Sequence, residues 1–103
     1  MLHYAEKAHK AALGMKLEDF LANEILLEAT AFRVQIIGEA AYRISKSFRT
    51  AFPKVPWTKI MRTRHRIVHD YDQINPQIVW KIATEHLPEL IMQLTDILND
   101  ESE

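Results

Sequence analysis

Two glycines and four prolines are the only strong backbone punctuation in this 103-residue chain, and the intervals between them carry helical periods. The alanine-rich stretch from Leu2 to Leu13 predicts a first helix that Gly14 ends. A short helical turn over Leu17 to Leu21 follows. The long interval from Asn23 to Phe48 predicts one continuous helix. Its apolar residues Ile25/Leu26, Ala29, Ala31/Phe32, Ile36, Ala40 and Ile44 recur at three- and four-residue steps. Gly38 within that helix costs about 1 kcal/mol relative to Ala, a cost that points to a second helix approaching closely at that turn.

Pro53 and Pro56 bracket a linker, and Pro56 is placed as the first residue of a helix running to about Tyr71. Asp72 to Asn75 reads as a loop. Asn75–Pro76 then pairs an N-cap with a first-position proline and opens a helix extending towards Leu98. Pro88 lies inside that last helix and is expected to kink it near Thr84. No strand pattern, internal repeat or low-complexity segment interrupts this sequence of helices. The expectation is an all-α fold, an up-and-down bundle of four main helices, forming a single domain over residues 1–103 with a disordered acidic tail at about 99–103.

The size suits one modest hydrophobic core. No apolar run approaches the roughly 20 residues that span a bilayer, so no membrane role is expected. The N-terminal residues lack the apolar stretch and cleavage site of a signal peptide. There are no cysteines, which removes disulfides, thiolate metal sites and cysteine nucleophiles and points to the cytoplasm.

The net charge of −1 conceals an uneven distribution. Residues 40–69 contain Arg43, Lys46, Arg49, Lys54, Lys59, Arg62, Arg64 and Arg66 and no acid. From residue 82 onward Glu85, Glu89, Asp96, Asp100, Glu101 and Glu103 stand without a single Lys or Arg. A positive middle of this kind suits phosphate, although solvated helix faces that balance one another would read the same way.

The most informative stretch is Met61-Arg62-Thr63-Arg64-His65-Arg66-Ile67-Val68-His69-Asp70-Tyr71. At 100° per residue, Ile60/Met61, Arg64, Ile67/Val68 and Tyr71 fall on one side of a helix. Arg62, His65/Arg66 and His69 fall on another. Arg64 thus interrupts an apolar stripe, where a guanidinium is costly unless paired or set in a wet cleft. One reading pairs Arg64 with a carboxylate, Glu39 beside Gly38, to hold two helices in register. A second is a metal held by His65 and His69, four apart, with Asp70 or Asp72 nearby. It lacks the HExxH pattern and is opposed by the flanking arginines. A third chemistry fits the residue types better. An imidazole and a cation can cleave RNA without metal, the imidazole moving the 2′-OH proton and the cation stabilising charge on the phosphorus centre. The RNA supplies its own nucleophile.

Arg64-His65-Arg66-Ile67-Val68-His69-Asp70-Tyr71 resembles the signature of the HEPN superfamily: an arginine, a polar residue, further residues and a histidine. The added tyrosine is that of its HepT-like toxins. The resemblance extends to Ile36-Ile37-Gly38-Glu39-Ala40, Pro56-Trp57, Ile74, Val79-Trp80 and Leu87-Pro88-Glu89-Leu90, and covers roughly residues 15–98. Most relatives carry Asn after the motif arginine; His65 stands here, as His does in some HEPN members.

What the resemblance implies is specific. It implies a homodimer whose motif helices meet and build a composite, metal-independent endoribonuclease cleft, with RNA as substrate and no cofactor. Arg64 would bind and polarise the scissile phosphate, His69 would act as general base or acid, and His65, Arg62 and Arg66 would assist or contact substrate. Tyr71 would accept AMP from an MntA-like nucleotidyltransferase antitoxin, which neutralises the toxin. An alternative is a non-catalytic helical adaptor or substrate-binding subunit of a nucleotidyltransferase. Trp57 and Trp80 are expected to anchor the core or a dimer. His3, His9 and His86 have no constellation around them and are expected at the surface or at helix ends.

Overall fold

The computed structural model describes residues 1–69 and 75–101, with the side chains of Val68, His69, Asp100 and Glu101 outside the description. It is all-α: α1 (Leu2–Ala12), α2 (Leu17–Ala22), α3 (Glu24–Arg43), α4 (Lys46–Ala51), α5 (Trp57–His69), α6 (Pro76–Lys81) and α7 (Leu87–Glu101). A π-helical turn, Ile82–His86, joins α6 to α7, so α1, α3, α5 and the α6–α7 unit make the four long members of the bundle. Among the described residues no helix is long and apolar enough to cross a membrane.

Local chemistry explains most of the boundaries. Gly14 follows α1 with φ +80°, a left-handed conformation that ends the helix at little cost for glycine. Asn23 caps α3 by accepting a hydrogen bond from the Leu26 amide at 3.0 Å. Asn75 does the same for α6, accepting from the Gln77 amide at 2.9 Å ahead of Pro76. The expected loop residues Asp72 to Ile74 lie outside the described residues.

The expected single helix over Asn23–Phe48 is two helices. Ile44 is extended (ψ 136°), and the Ser45 hydroxyl accepts from the Phe48 amide at 3.2 Å, capping α4. The apolar period ran on through Ile44 and Phe48 and masked the break, whereas serine three residues before Phe48 was its local signal.

Alanines at Ala5, Ala8 and Ala12 are fully or almost fully buried and let α1 lie close against α3 and α7. Ala31, Val34, Ile37 and Ala41 of α3 and Leu87, Leu90, Leu94 and Ile97 of α7 belong to one core, with α1 packed against both helices. Phe20 of α2 is completely buried and its ring lies 5.1 Å from that of Trp80. Burying such a phenylalanine contributes about 2–3 kcal/mol. Trp57 is buried and its Nε1–H donates to the Phe52 carbonyl at 2.9 Å. Both tryptophans are core anchors, as expected.

Pro88 distorts the last helix where expected, and the distortion has a definite structure. The Leu87 amide donates to the Ile82 carbonyl, one residue further back than in an α-helix. That leaves the Ala83 carbonyl facing Pro88, which has no N–H to give it. His9 of α1 fills the gap: its Nδ1–H donates to the Ala83 oxygen at 3.0 Å. His9 lies in the last turn of α1, the helix-end position expected for it, and is there a tertiary capping residue, a constellation that the sequence had not suggested.

Candidate active site

The most extensive helix packing in the described structure sets α5 against α3, and Gly38 is where the two come nearest. A Cβ placed on Gly38 would run into the Arg64 Cβ and stand 2.7 Å from its Cγ and 3.3 Å from its Cα. The close approach that Gly38 led us to expect is thus a contact with Arg64 itself. The arginine stem lies across the glycine, which steers its guanidinium sideways along α3 to the surface.

There it meets three α3 residues. The Arg64 Nη2–H donates to the Glu39 Oε1 at 3.5 Å, with the two side chains 30% and 33% exposed. The guanidinium carbon lies 5.8 Å from the centroid of the Tyr42 ring, within cation–π range. Glu39, Tyr42, Arg43 and Arg64 line one shallow cleft. The Arg64 Nε is buried and has no hydrogen-bond partner.

These numbers bear on the two readings of Arg64. The pair with Glu39 exists, but a single long contact between two one-third-exposed groups contributes at most about 1 kcal/mol. That is too little to be the chief device setting helix register, which the Gly38 contact does by shape. The guanidinium also sits in a wet cleft, where it keeps donors available to an anion.

The rest of the motif helix divides as its periodicity predicted. Ile67 is buried, Ile60 and Met61 pack against the core, and Arg62, His65 and Arg66 are exposed. His69 is the last residue of α5, five positions beyond Arg64. Five residues advance about 7.5 Å along a helix and turn about 140° relative to the starting residue. The His69 side chain, and with it the proposed metal pairing to His65, lies outside the described residues. Asp70 and Tyr71 lie outside them too.

Tyr42 and Arg43 were not among the candidates from sequence. Tyr42 stands one helical turn beyond Gly38, so it flanks whatever crosses α3 there. That spacing was the available signal, and it becomes legible only once Arg64 is known to be the crossing residue.

Fold and site together define an all-α helical bundle that opens an arginine-centred cleft at its surface. A model of the HepT-like ribonuclease family matches residues 1–97. The chain belongs to the HepT-like ribonuclease family. It is 36% identical to a candidate RNase of Caldanaerobacter subterraneus subsp. tengcongensis over 88 residues, covering 85% of this chain and 79% of that one. A candidate RNase of Methanocaldococcus jannaschii is 30% identical, over 84% and 71% of the two chains. A Thermococcus cleftensis protein named as a probable ribonuclease HepT is 33% identical, over 71% and 66%. No solved structure matches significantly.

Proposed function

We propose that this chain is the endoribonuclease toxin of a prokaryotic toxin–antitoxin pair. The observation that carries the reading is the placement of Arg64, whose guanidinium is directed by Gly38 into an open cleft instead of being sealed in the core.

On this reading the scissile phosphate takes a place beside Arg64, in competition with the Glu39 carboxylate. The RNA 2′-oxygen attacks phosphorus while its proton passes to a base, and the 5′-oxygen leaves with a proton from an acid. The products are a 2′,3′-cyclic phosphate and a 5′-hydroxyl. The motif position of His69 supports it as the imidazole that moves one of these protons. Arg64 stabilises charge gathering on the phosphoryl oxygens. Exposed Arg62, His65 and Arg66 offer the flanking phosphates a basic face.

The homodimer rests on a second feature of α3. Ile25 (82% exposed) and Phe32 (56% exposed) lie on one face with Glu39 and Arg43, at steps of seven, seven and four residues. The cleft therefore continues an apolar stripe, which a second copy would cover while bringing two Arg64 cations to one substrate. Neutralisation by a nucleotidyltransferase partner rests on the motif tyrosine. The Tyr71 hydroxyl would attack the α-phosphate of ATP and release pyrophosphate, leaving an adenylyl group whose bulk and charge oppose RNA phosphate.

The test is cleavage of end-labelled RNA in EDTA by unmodified protein, with Arg64→Ala and His69→Ala beside it. Cleavage that leaves 2′,3′-cyclic phosphate and disappears in both variants is expected. Protein of confirmed unmodified mass that cuts nothing would favour the adaptor alternative.

A further inference from the structure

The cleft around Arg64 contains an aromatic ring that phosphate binding alone does not require. Tyr42 lies in the last turn of α3, on a rigid helix, and remains 54% exposed. Its ring is 5.8 Å from the Arg64 guanidinium carbon, and Arg43 lines the same cleft. Among the described residues the other aromatics are placed differently, Tyr4 being half-buried against the core beside His3. Trp57 and Phe20 are buried, Trp80 packs on Phe20, and Phe48 and Phe52 pack on each other at 4.8 Å. Phe32 is exposed but ten residues from Tyr42 along α3, about 15 Å away at helical rise.

We infer that Tyr42, flanked by Arg43, is a base-stacking subsite that selects an unpaired nucleotide next to the phosphate held by Arg64. The inference rests on the ribonuclease reading above and adds a substrate class to it. In a polynucleotide every phosphate is flanked by a base. A site that grips the phosphate at Arg64 brings a neighbouring base into the same cleft, where an exposed ring offers a stacking face. Bases inside a duplex are already stacked and paired, whereas single strands, loops and bulges can splay a base onto an aromatic side chain. An unpaired nucleotide also has the backbone freedom that bringing the 2′-oxygen in line with the leaving oxygen requires. Stacking is tolerant of base identity, so the subsite selects for single-strandedness more than for sequence. Arg43 supplies the adjacent phosphate contact.

The test uses the full chain and two single-stranded oligonucleotides. One is 2′-O-methylated throughout, hence uncleavable, and carries 2-aminopurine; the other is the cleavable RNA. Wild-type protein is expected to quench the 2-aminopurine on binding. Tyr42→Phe keeps a ring and is expected to keep the quench. Tyr42→Leu and Tyr42→Ala are expected to lose it and to raise KM about tenfold, with kcat within about twofold of wild type and the salt dependence of binding unchanged. Tyr42 is largely exposed, so these variants are expected to melt as wild type does.

A wild-type quench and KM in both ring-less variants would overturn the inference. So would a fall in kcat at constant KM, which would make Tyr42 a residue that only positions Arg64. Failure of unmodified wild-type protein to cut the cleavable RNA would refute the ribonuclease reading instead, and the quench would still decide whether Tyr42 receives a base.

Discussion

Arg64 rests on Gly38. With no Cβ on the glycine, the arginine stem lies directly on the α3 backbone, and a methyl group there would collide with the Arg64 Cβ. Two opposing effects meet in Gly38→Ala. Alanine gains about 1 kcal/mol of helix propensity, but overpacking of this kind costs about 1–3 kcal/mol. The atoms met first are the Arg64 stem and its own Cα, which cannot swing away as a side-chain tip could, so the cost prevails. Gly38→Ala is expected to lower Tm by several degrees in differential scanning calorimetry, at about 4–8 °C per kcal/mol for a domain of this size. It is also expected to displace Arg64 and reduce RNA cleavage more than it reduces stability.

Glu39→Gln separates the ion pair from the close packing. The pair is long and both groups are about one-third exposed, so the stability change is expected to stay below about 1 kcal/mol in urea unfolding. Removing the negative charge also removes the competitor of an incoming phosphate. RNA affinity of Glu39→Gln is therefore expected to rise in filter binding at low salt, and an unchanged or weaker affinity would mean that Glu39 does not compete with substrate for Arg64.

His9 and Pro88 are coupled across the bundle. The imidazole serves a carbonyl that Pro88 cannot. His9→Ala leaves that carbonyl without its partner and is expected to cost about 1–2 kcal/mol. In a Pro88→Ala background an amide becomes available to the last helix, and the same His9→Ala change is expected to cost distinctly less. A double-mutant cycle measures the difference directly, and additive costs would show that the two residues act independently.

These cases mark what the sequence disclosed and what it withheld. Gly14, Asn75 and Pro76 act within a few residues of themselves, so local capping rules placed the C-terminal end of α1 and the start of α6. Arg64 was conspicuous because a cation broke an apolar stripe. Its partners were less visible. Glu39 could be named from its place beside Gly38, but Tyr42 enters the cleft only through the angle at which α5 crosses α3. His9 lies 74 residues from Ala83, and no periodicity links a histidine to a carbonyl freed by a π turn. The break at Ile44 was hidden because the apolar repeat continues across it, leaving one serine hydroxyl as the clue.

The exposed stripe on α3 tests the dimer. Phe32→Asp places a carboxylate in the middle of the apolar stripe, where burial against a second copy would be costly. The expected outcome in sedimentation velocity is a monomer that retains its helical circular dichroism and cleaves RNA poorly. A dimer of unchanged affinity would place the interface elsewhere on the surface.

The basic face of α5 is expected to divide by role in kinetics. Arg62 and Arg66 are exposed on the motif helix, placed to meet flanking phosphates rather than the reacting one. Arg62→Ala and Arg66→Ala are each expected to weaken RNA binding across sequences and to reduce the salt slope by about one phosphate contact. Arg64→Ala removes the cation assigned to the charge that develops during cleavage. Its loss should therefore fall mainly on kcat, by about a hundredfold or more, the scale on which single charge-stabilising donors act. Equal effects of all three variants on KM, with kcat preserved, would reduce Arg64 to one phosphate anchor among several.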